Sequence, residues 1–165
     1  MKLPHAPIKR SQELAPFSRE HHEALLFVWK IRQGIKYKTD ISILASYCRW
    51  FWENYLNDHF QKEEAAFKGV LPANNPMLEK MLDDHDAIRS KIEQLTQFPA
   101  EQSFERLAQI IQYHVRFEER ELFAYMQQTL TEAELEMIAT HDNKPGNDVD
   151  ARWEDSFWIN DKSGL

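Results

Sequence analysis

Apolar residues recur at spacings of three and four along most of the chain, the period of an α-helix with one buried face. The cleanest run is Leu78, Met81, His85, Ile88, Ile92 and Leu95, with a single polar residue, His85, at its middle. Helices are predicted at about residues 11–36, 40–68, 75–97 and 101–128, the second capped by Asp40. Thr131 and Glu134 have the spacing of a capping box, which predicts a short fifth helix ending near His141. The four glycines, Gly34, Gly69, Gly146 and Gly164, fall at or beyond the ends of these segments, and no Asn-Gly or Asp-Gly hairpin signal occurs. Short connections between long helices favour antiparallel neighbours. The expected architecture is therefore all-α, an antiparallel up-down four-helix bundle with a short fifth helix over residues 11–142. An N-terminal segment (1–10) precedes it and a C-terminal tail (143–165) comes after it. That tail is polar and broken by Pro145 and Gly146, yet it carries Trp153, Phe157 and Trp158. Part of it is expected to dock on the bundle, on a protein partner or on a second copy.

Composition narrows the function classes. A chain of 165 residues suits one domain with one sizeable core. Its 27 acidic and 20 basic residues leave a net charge of -7, which argues against nucleic-acid or anionic-membrane binding. The local group Lys30, Arg32, Lys36 and Lys38 reads as a solvated helix end favoured by the helix dipole. The single cysteine, Cys48, permits no intramolecular disulfide and no cysteine-based zinc site, so buried packing is its expected role. The first residues lack the apolar core of a signal peptide, and no run approaches the roughly 20 apolar residues of a membrane span. A cytoplasmic location is the resulting expectation.

The polar residues that interrupt the apolar faces carry the chemistry. The fourth helix shows Phe104, Leu107, Ile111, His114, Glu118, Leu122 and Tyr125 on one face; the second shows Cys48, Trp52, Tyr55, His59, Glu63 and Phe67. In the first helix His21 sits in a stripe with Leu14, Phe17, Ala24, Val28 and Ile31. The same offsets from its neighbour His22 give Ala15, Ser18, Leu25, Trp29 and Arg32, so His21 is preferred and His22 is the alternative. One inward histidine is ordinarily a hydrogen-bonded core residue; four helices each placing one at mid-length is a different pattern. Burying four imidazoles and two carboxylates costs on the order of several kcal/mol unless each finds a partner. A metal centre would satisfy all six together.

His and Glu at i and i+4 share a helix face, so the imidazole can bind one metal while the carboxylate reaches toward a second. The chain divides into similar halves, His21 followed by HFQKE (59–63) and His85 followed by HVRFE (114–118). Two ions with mixed nitrogen and oxygen donors favour iron over calcium or magnesium, and six donors exceed one structural zinc shell. Ferritin-type sites need Glu-x-x-His, and no histidine here has an acidic residue three positions before it.

The segments EHHEAL, HFQKE, DHDAI and HVRFE, in this order on four helices, resemble the hemerythrin-like family of His/His/Glu cation-binding domains over about residues 11–128. The resemblance implies that His21, His59, His85 and His114 bind iron and that Glu63 and Glu118 bridge two iron ions, joined also by an oxo or hydroxo group. The sequence departs from the oxygen carriers of that family. Their third helix has His-x-x-x-His where Arg89 stands here, and their fourth ends in His-x-x-x-x-Asp where His114 is followed by Glu118. The shorter ligand set is similar to that of iron-centre repair proteins, but the segment before Ser11 lacks the cysteine of their extra domain.

The expected function is a non-haem di-iron protein that binds or senses a small oxidant such as O2, NO or peroxide. Turnover of peroxide or NO, and an iron-dependent interaction module, are the alternatives; whether it is an enzyme stays open. Glu64, Glu119 and Glu121 lie near the ligand motifs and are expected on solvated faces, with support of the ligands or extra coordination as the alternative, and His5 and His141 are expected at the surface. Trp29, Trp50 and Trp52 are expected in the core, with Tyr55 and Tyr125 about one turn from the histidine layer. No phosphate loop, nucleophile triad or dinucleotide fingerprint is present, so no organic cofactor is indicated.

Overall fold

The computed structural model describes residues 9–141 and 153–159. His5, Pro145, Gly146 and the expected boundary at 142/143 lie outside them. Every regular element among the described residues is helical. Helix α1 spans Ala15–Lys36, α2 Ile41–Phe51, α3 Asn57–Lys68, α4 Pro76–Gln97, α5 Glu101–Phe117, α6 Phe123–Thr129 and α7 Glu132–Ala139. A π-turn, Trp52–Leu56, joins α2 to α3, and another, Glu118–Leu122, joins α5 to α6. Four long rods result, which are α1, α2–α3, α4 and α5–α6. Rod α1 packs on α5, α5 on α4, α4 on α2, and α2 closes the ring on α1.

Local chemistry sets the rod ends. Asp40, before α2, accepts from Ser42 N, and Asn75, before Pro76 of α4, accepts from Met77 N and Leu78 N, so each start has one or two of its free amides capped. Thr131 and Glu134 form the full capping box of α7. Helix α1 starts later than expected, at Ala15, because Pro16 occupies its first turn and Ser11 to Leu14 make a separate turn.

The buried face of α4 is Leu78, Met81, His85, Ile88, Ile92 and Leu95, the stripe read from the sequence. In rods α2–α3 and α5–α6 the π-turns shift the buried stripe. Each π-turn adds one residue to a turn and rotates the helix beyond it by about 100°. Leu56 is therefore buried while Trp52 and Tyr55 are half-buried, and Met126 is buried while Tyr125 is half-buried. Trp29 is exposed, contrary to a core role, because it lies on the outer face of α1 with His22 and Leu25.

Two hydrophobic clusters fill the bundle. One contains Phe27, Ile31, Phe51, Ile88, Leu95, Phe104 and Leu107; the other contains Leu14, Phe17, Phe67, Met81, Leu122, Phe123 and Met126. The first cluster takes the late part of α1 and α4 and the early part of the other two rods, and the second takes the converse. This alternation shows an up-down antiparallel bundle whose halves meet at mid-rod.

Residues 153–159 dock on the bundle itself. Trp153, Phe157 and Trp158 surround Tyr47, and Trp153 also meets Trp50. Lys30 is buried beneath Trp158, its Nζ 4.0 Å from the ring, and so does not belong to a solvated basic end. Cys48 is fully buried. A Cβ at Gly34 would lie 2.5 Å from Leu44 Cδ2 and 2.9 Å from Phe157 Cε2, which explains a glycine within the last turn of α1. Gly34→Ala should lower urea stability by roughly 1–2 kcal/mol, overpacking exceeding the helix preference of alanine. Tryptophan emission should shift to the red as the 153–159 segment lifts. Unchanged emission and stability would mean that the packing absorbs the methyl group.

Candidate metal centre

The two clusters are separated by a polar layer at mid-rod. Helix α1 brings His21 to it, α3 brings His59 and Glu63, α4 brings His85, α5 brings His114, and the second π-turn brings Glu118. Each of the six is 0% to 2% exposed. His22 faces solvent, so the structure brings His21 rather than its neighbour into the layer. His141 is half-buried at the end of α7, and Arg89 turns outward to Asp86 Oδ1 at 2.6 Å and over the Trp52 ring. No fifth histidine enters the layer among the described residues.

The donor atoms form two overlapping groups, one of Glu63, His85, His114 and Glu118 and one of His21, His59 and Glu63, each gathered within 4.8 Å. His59 Nε2 lies 3.0 Å from Glu63 Oε1, and His85 Nε2 lies 3.4 Å from Glu63 Oε1 and 3.5 Å from Glu118 Oε1. His21 Nε2 is 3.4 Å from Glu118 Oε2 and 3.6 Å from Glu63 Oε2, and His114 Nε2 contacts Glu118 Oε1. Both carboxylates thus reach histidines of both pairs.

These residues fit a metal on physical grounds. All four oxygens of Glu63 and Glu118, and His21 Nε2, are buried without a hydrogen-bond partner. Such groups cost about 1–3 kcal/mol each when left unmet, and more when charged. His85 Nε2 and His114 Nε2 are 3.1 Å apart, where two lone pairs repel unless a proton or cation stands between them. A metal bonded to nitrogen and oxygen at about 2.1 Å sets adjacent donors about 3 Å apart, close to the spacings seen.

Each histidine presents Nε2 inward because Nδ1 has an acidic partner behind it. His21 Nδ1 is 2.7 Å from Glu119 Oε1, His59 Nδ1 2.5 Å from Glu20 Oε2, His85 Nδ1 3.3 Å from Glu64 Oε1 and His114 Nδ1 3.1 Å from Asp84 Oδ2. Glu64 and Glu119 were expected on solvated faces; instead they back the imidazoles, while Glu121 is exposed as expected. Glu20 and Asp84 escaped the sequence reading. Their signal was present as an acidic residue directly before the inward histidine of α1 and of α4.

Aromatic rings close the layer from both sides. Phe60 stacks on His85 with centroids 3.9 Å apart and planes within 10°, and Phe123 stacks on His21 at 5.4 Å and 6°. Tyr55 donates to the backbone oxygen of Glu20, and the Tyr125 hydroxyl accepts from Asn75 Nδ2. Neither tyrosine hydroxyl is directed at the donor atoms in these contacts.

Burial, a metal-binding donor set and four packed rods define a cation-binding helical bundle. A family model, the hemerythrin HHE cation binding domain, matches residues 15–126, and the chain belongs to that family. Comparisons with curated proteins and with solved structures gave no significant match. No helix among the described residues is long and apolar enough to cross a membrane.

In the metal-free protein, burial opposes charge on the imidazoles, but the surrounding carboxylates outweigh it. His59 is raised to about 9, His21 and His85 are raised well above the usual histidine range, and His114 is raised. Burial likewise disfavours charged Glu63 and Glu118, and the imidazoles reverse this and hold both low. At neutral pH the layer therefore holds protons on nitrogens that a metal would need. Metal uptake at pH 7 should release protons, measurable by calorimetry in buffers of different ionisation enthalpy. Affinity should rise with pH up to about 9 and fall in acid; a pH-independent affinity would contradict this proton competition. The sign for the metal-free fold is opposite. The stability from imidazolium pairing is complete below the unfolded histidine pKa of about 6.5 and is lost as pH rises through about 9.

Proposed function

We propose that the protein holds two iron ions and uses them to bind or sense a small oxidant, O2, NO or peroxide. The observation that supports this best is the sharing of two fully buried, otherwise unpartnered carboxylates between two pairs of imidazoles. In this reading His21 and His59 would hold one ion and His85 and His114 the other, with Glu63 and Glu118 as the carboxylates available to both. Nitrogen and carboxylate donors together, without thiolate, suit iron. Bound iron supplies the electron-transfer chemistry that imidazoles and carboxylates lack.

The protein's own contribution is geometry and exclusion. The carboxylates behind Nδ1 fix each imidazole so that Nε2 points inward. Phe60 lies flat on His85 and Phe123 on His21, one ring for each pair of imidazoles, and both restrict water around the donors. Two histidines would serve each ion and Arg89 is directed outward, so no fifth histidine among the described residues would compete with an external ligand. That supports oxidant binding at either ion rather than at one.

Reconstitution with Fe(II) under anaerobic conditions should yield about two irons per chain and raise Tm by stabilising the folded state alone. His59→Ala should lose most of this iron, whereas His22→Ala should retain it. Fewer than about one iron per chain in the wild type would defeat the proposal. Exposure of the loaded protein to limiting O2, NO or peroxide should give a stoichiometric optical change. Consumption over many equivalents would instead establish turnover, and no response to any of the three would leave metal storage or structure as the function.

A further inference from the structure

The four acidic residues behind the imidazoles are not arranged at random. Glu20 of α1 contacts His59 of α3, Glu64 of α3 contacts His85 of α4, Asp84 of α4 contacts His114 of α5, and Glu119, just after α5, contacts His21 of α1. Each rod therefore holds the histidine of the next, and the set closes on itself around the bundle. Every one of these acids directly adjoins an inward residue of its own rod, as Glu20 adjoins His21, Glu64 Glu63, Asp84 His85 and Glu119 Glu118.

Three of the four are tied on their outer sides as well. Lys62 reaches Glu20 at 3.1 Å, Lys80 reaches Asp84 at 3.0 Å, and Arg10 reaches Glu119 at 3.0 Å while also donating to its backbone oxygen. Ser18 Oγ donates to Glu119 too. The four acids are 12% to 29% exposed, against 0% for Glu63 and Glu118, so they form a rim rather than part of the inner donor set. The rim divides by the histidine it serves. Glu20 and Glu119 hold His59 and His21, whereas Glu64 and Asp84 hold His85 and His114.

We propose that Glu20, Glu64, Asp84 and Glu119 are positioning residues acting in two pairs, each pair fixing the imidazoles of one ion, so that losing a rim acid loosens one ion selectively. This rests on the two-iron reading above. An acceptor at Nδ1 fixes the tautomer that leaves Nε2 free to bind, and it raises the basicity of that nitrogen. Removing such a partner characteristically costs roughly 10–100-fold in metal affinity. Because the pairing runs between rods, the acid that governs an ion need not lie beside its histidine in sequence. Glu119 and His21 are at opposite ends of the domain.

The test is chelator competition on the full chain loaded anaerobically with Fe(II), at a chelator concentration just below that which strips the wild type. Glu20→Ala and Glu119→Ala should each retain one iron, and the double variant should still retain one because both act on the same ion. Glu20→Ala combined with Asp84→Ala should retain none, Glu121→Ala should retain both, and Glu20→Gln should fall between Glu20→Ala and wild type. Retention of both irons by Glu20→Ala, or a Glu20/Glu119 double variant that loses both, would overturn the pairing. A second readout needs no iron. In the metal-free protein, nitrogen-resolved NMR should show Nδ1–H protons protected from solvent exchange, and Glu20→Ala should expose that of His59 alone. Should the wild type hold fewer than two irons, the two-iron reading fails, while the NMR signals still show whether each acid holds its imidazole. If all four signals survive the rim substitutions, the positioning proposal itself is lost.

Discussion

Two carboxylates buried side by side at the centre of a hydrophobic bundle are the constraint around which this molecule is organised. Glu63 and Glu118 are fully inaccessible, and like charges in a medium of low polarity repel strongly. Nothing apolar in the two flanking clusters can meet that cost. Four imidazoles drawn from four rods surround the pair and hold both carboxylates charged, and a cation bound by the same six side chains would take the place of the imidazole protons. Hydrophobic packing above and below then acts as a seal, holding the six side chains in one layer and keeping out water that would otherwise compete.

The layer is built twice. Each half of the chain supplies an inward histidine on one rod and a His-x-x-x-Glu segment on the next, so an up-down bundle brings the two halves face to face. The halves are not copies, however. One π-turn precedes His59, while the other contains Glu118, and the resulting shift places Phe123 on His21 where Phe60 serves His85. A π-turn costs regular helical hydrogen bonding, and its presence beside each His-x-x-x-Glu segment fits the tendency of such turns to occur at functional positions. The docked 153–159 segment meets α1 at Lys30 and Gly34, at least nine residues beyond His21, or about 14 Å along the helix. It therefore covers one end of the bundle and leaves the polar layer to the rods.

Much of this is legible in the sequence because helical periodicity is local. The buried stripe of α4 matches its apolar spacing residue for residue, and the choice of His21 over His22 comes from counting apolar neighbours at helical offsets. The spacing misleads where a π-turn breaks the period, moving burial from Trp52 and Tyr55 to Leu56 and from Tyr125 to Met126. It misleads again where a charged residue has a partner on another rod. Glu64 and Glu119 look solvated because a carboxylate one position off the inner face has no local reason to be anything else. Lys30 looks solvated too, since the tryptophan that covers it is more than a hundred residues away.

The sequence by itself determined the all-helical bundle, the position of the polar layer on each rod and the six residues that occupy it, because each depends on spacing within a single helix. Only the tertiary structure decided which histidine faces which carboxylate, which acid stands behind each imidazole and where the C-terminal aromatics rest. Those are contacts between rods, set by the rotation and register of one helix against another. A spacing of three and four residues fixes a face, but it leaves open what that face will meet.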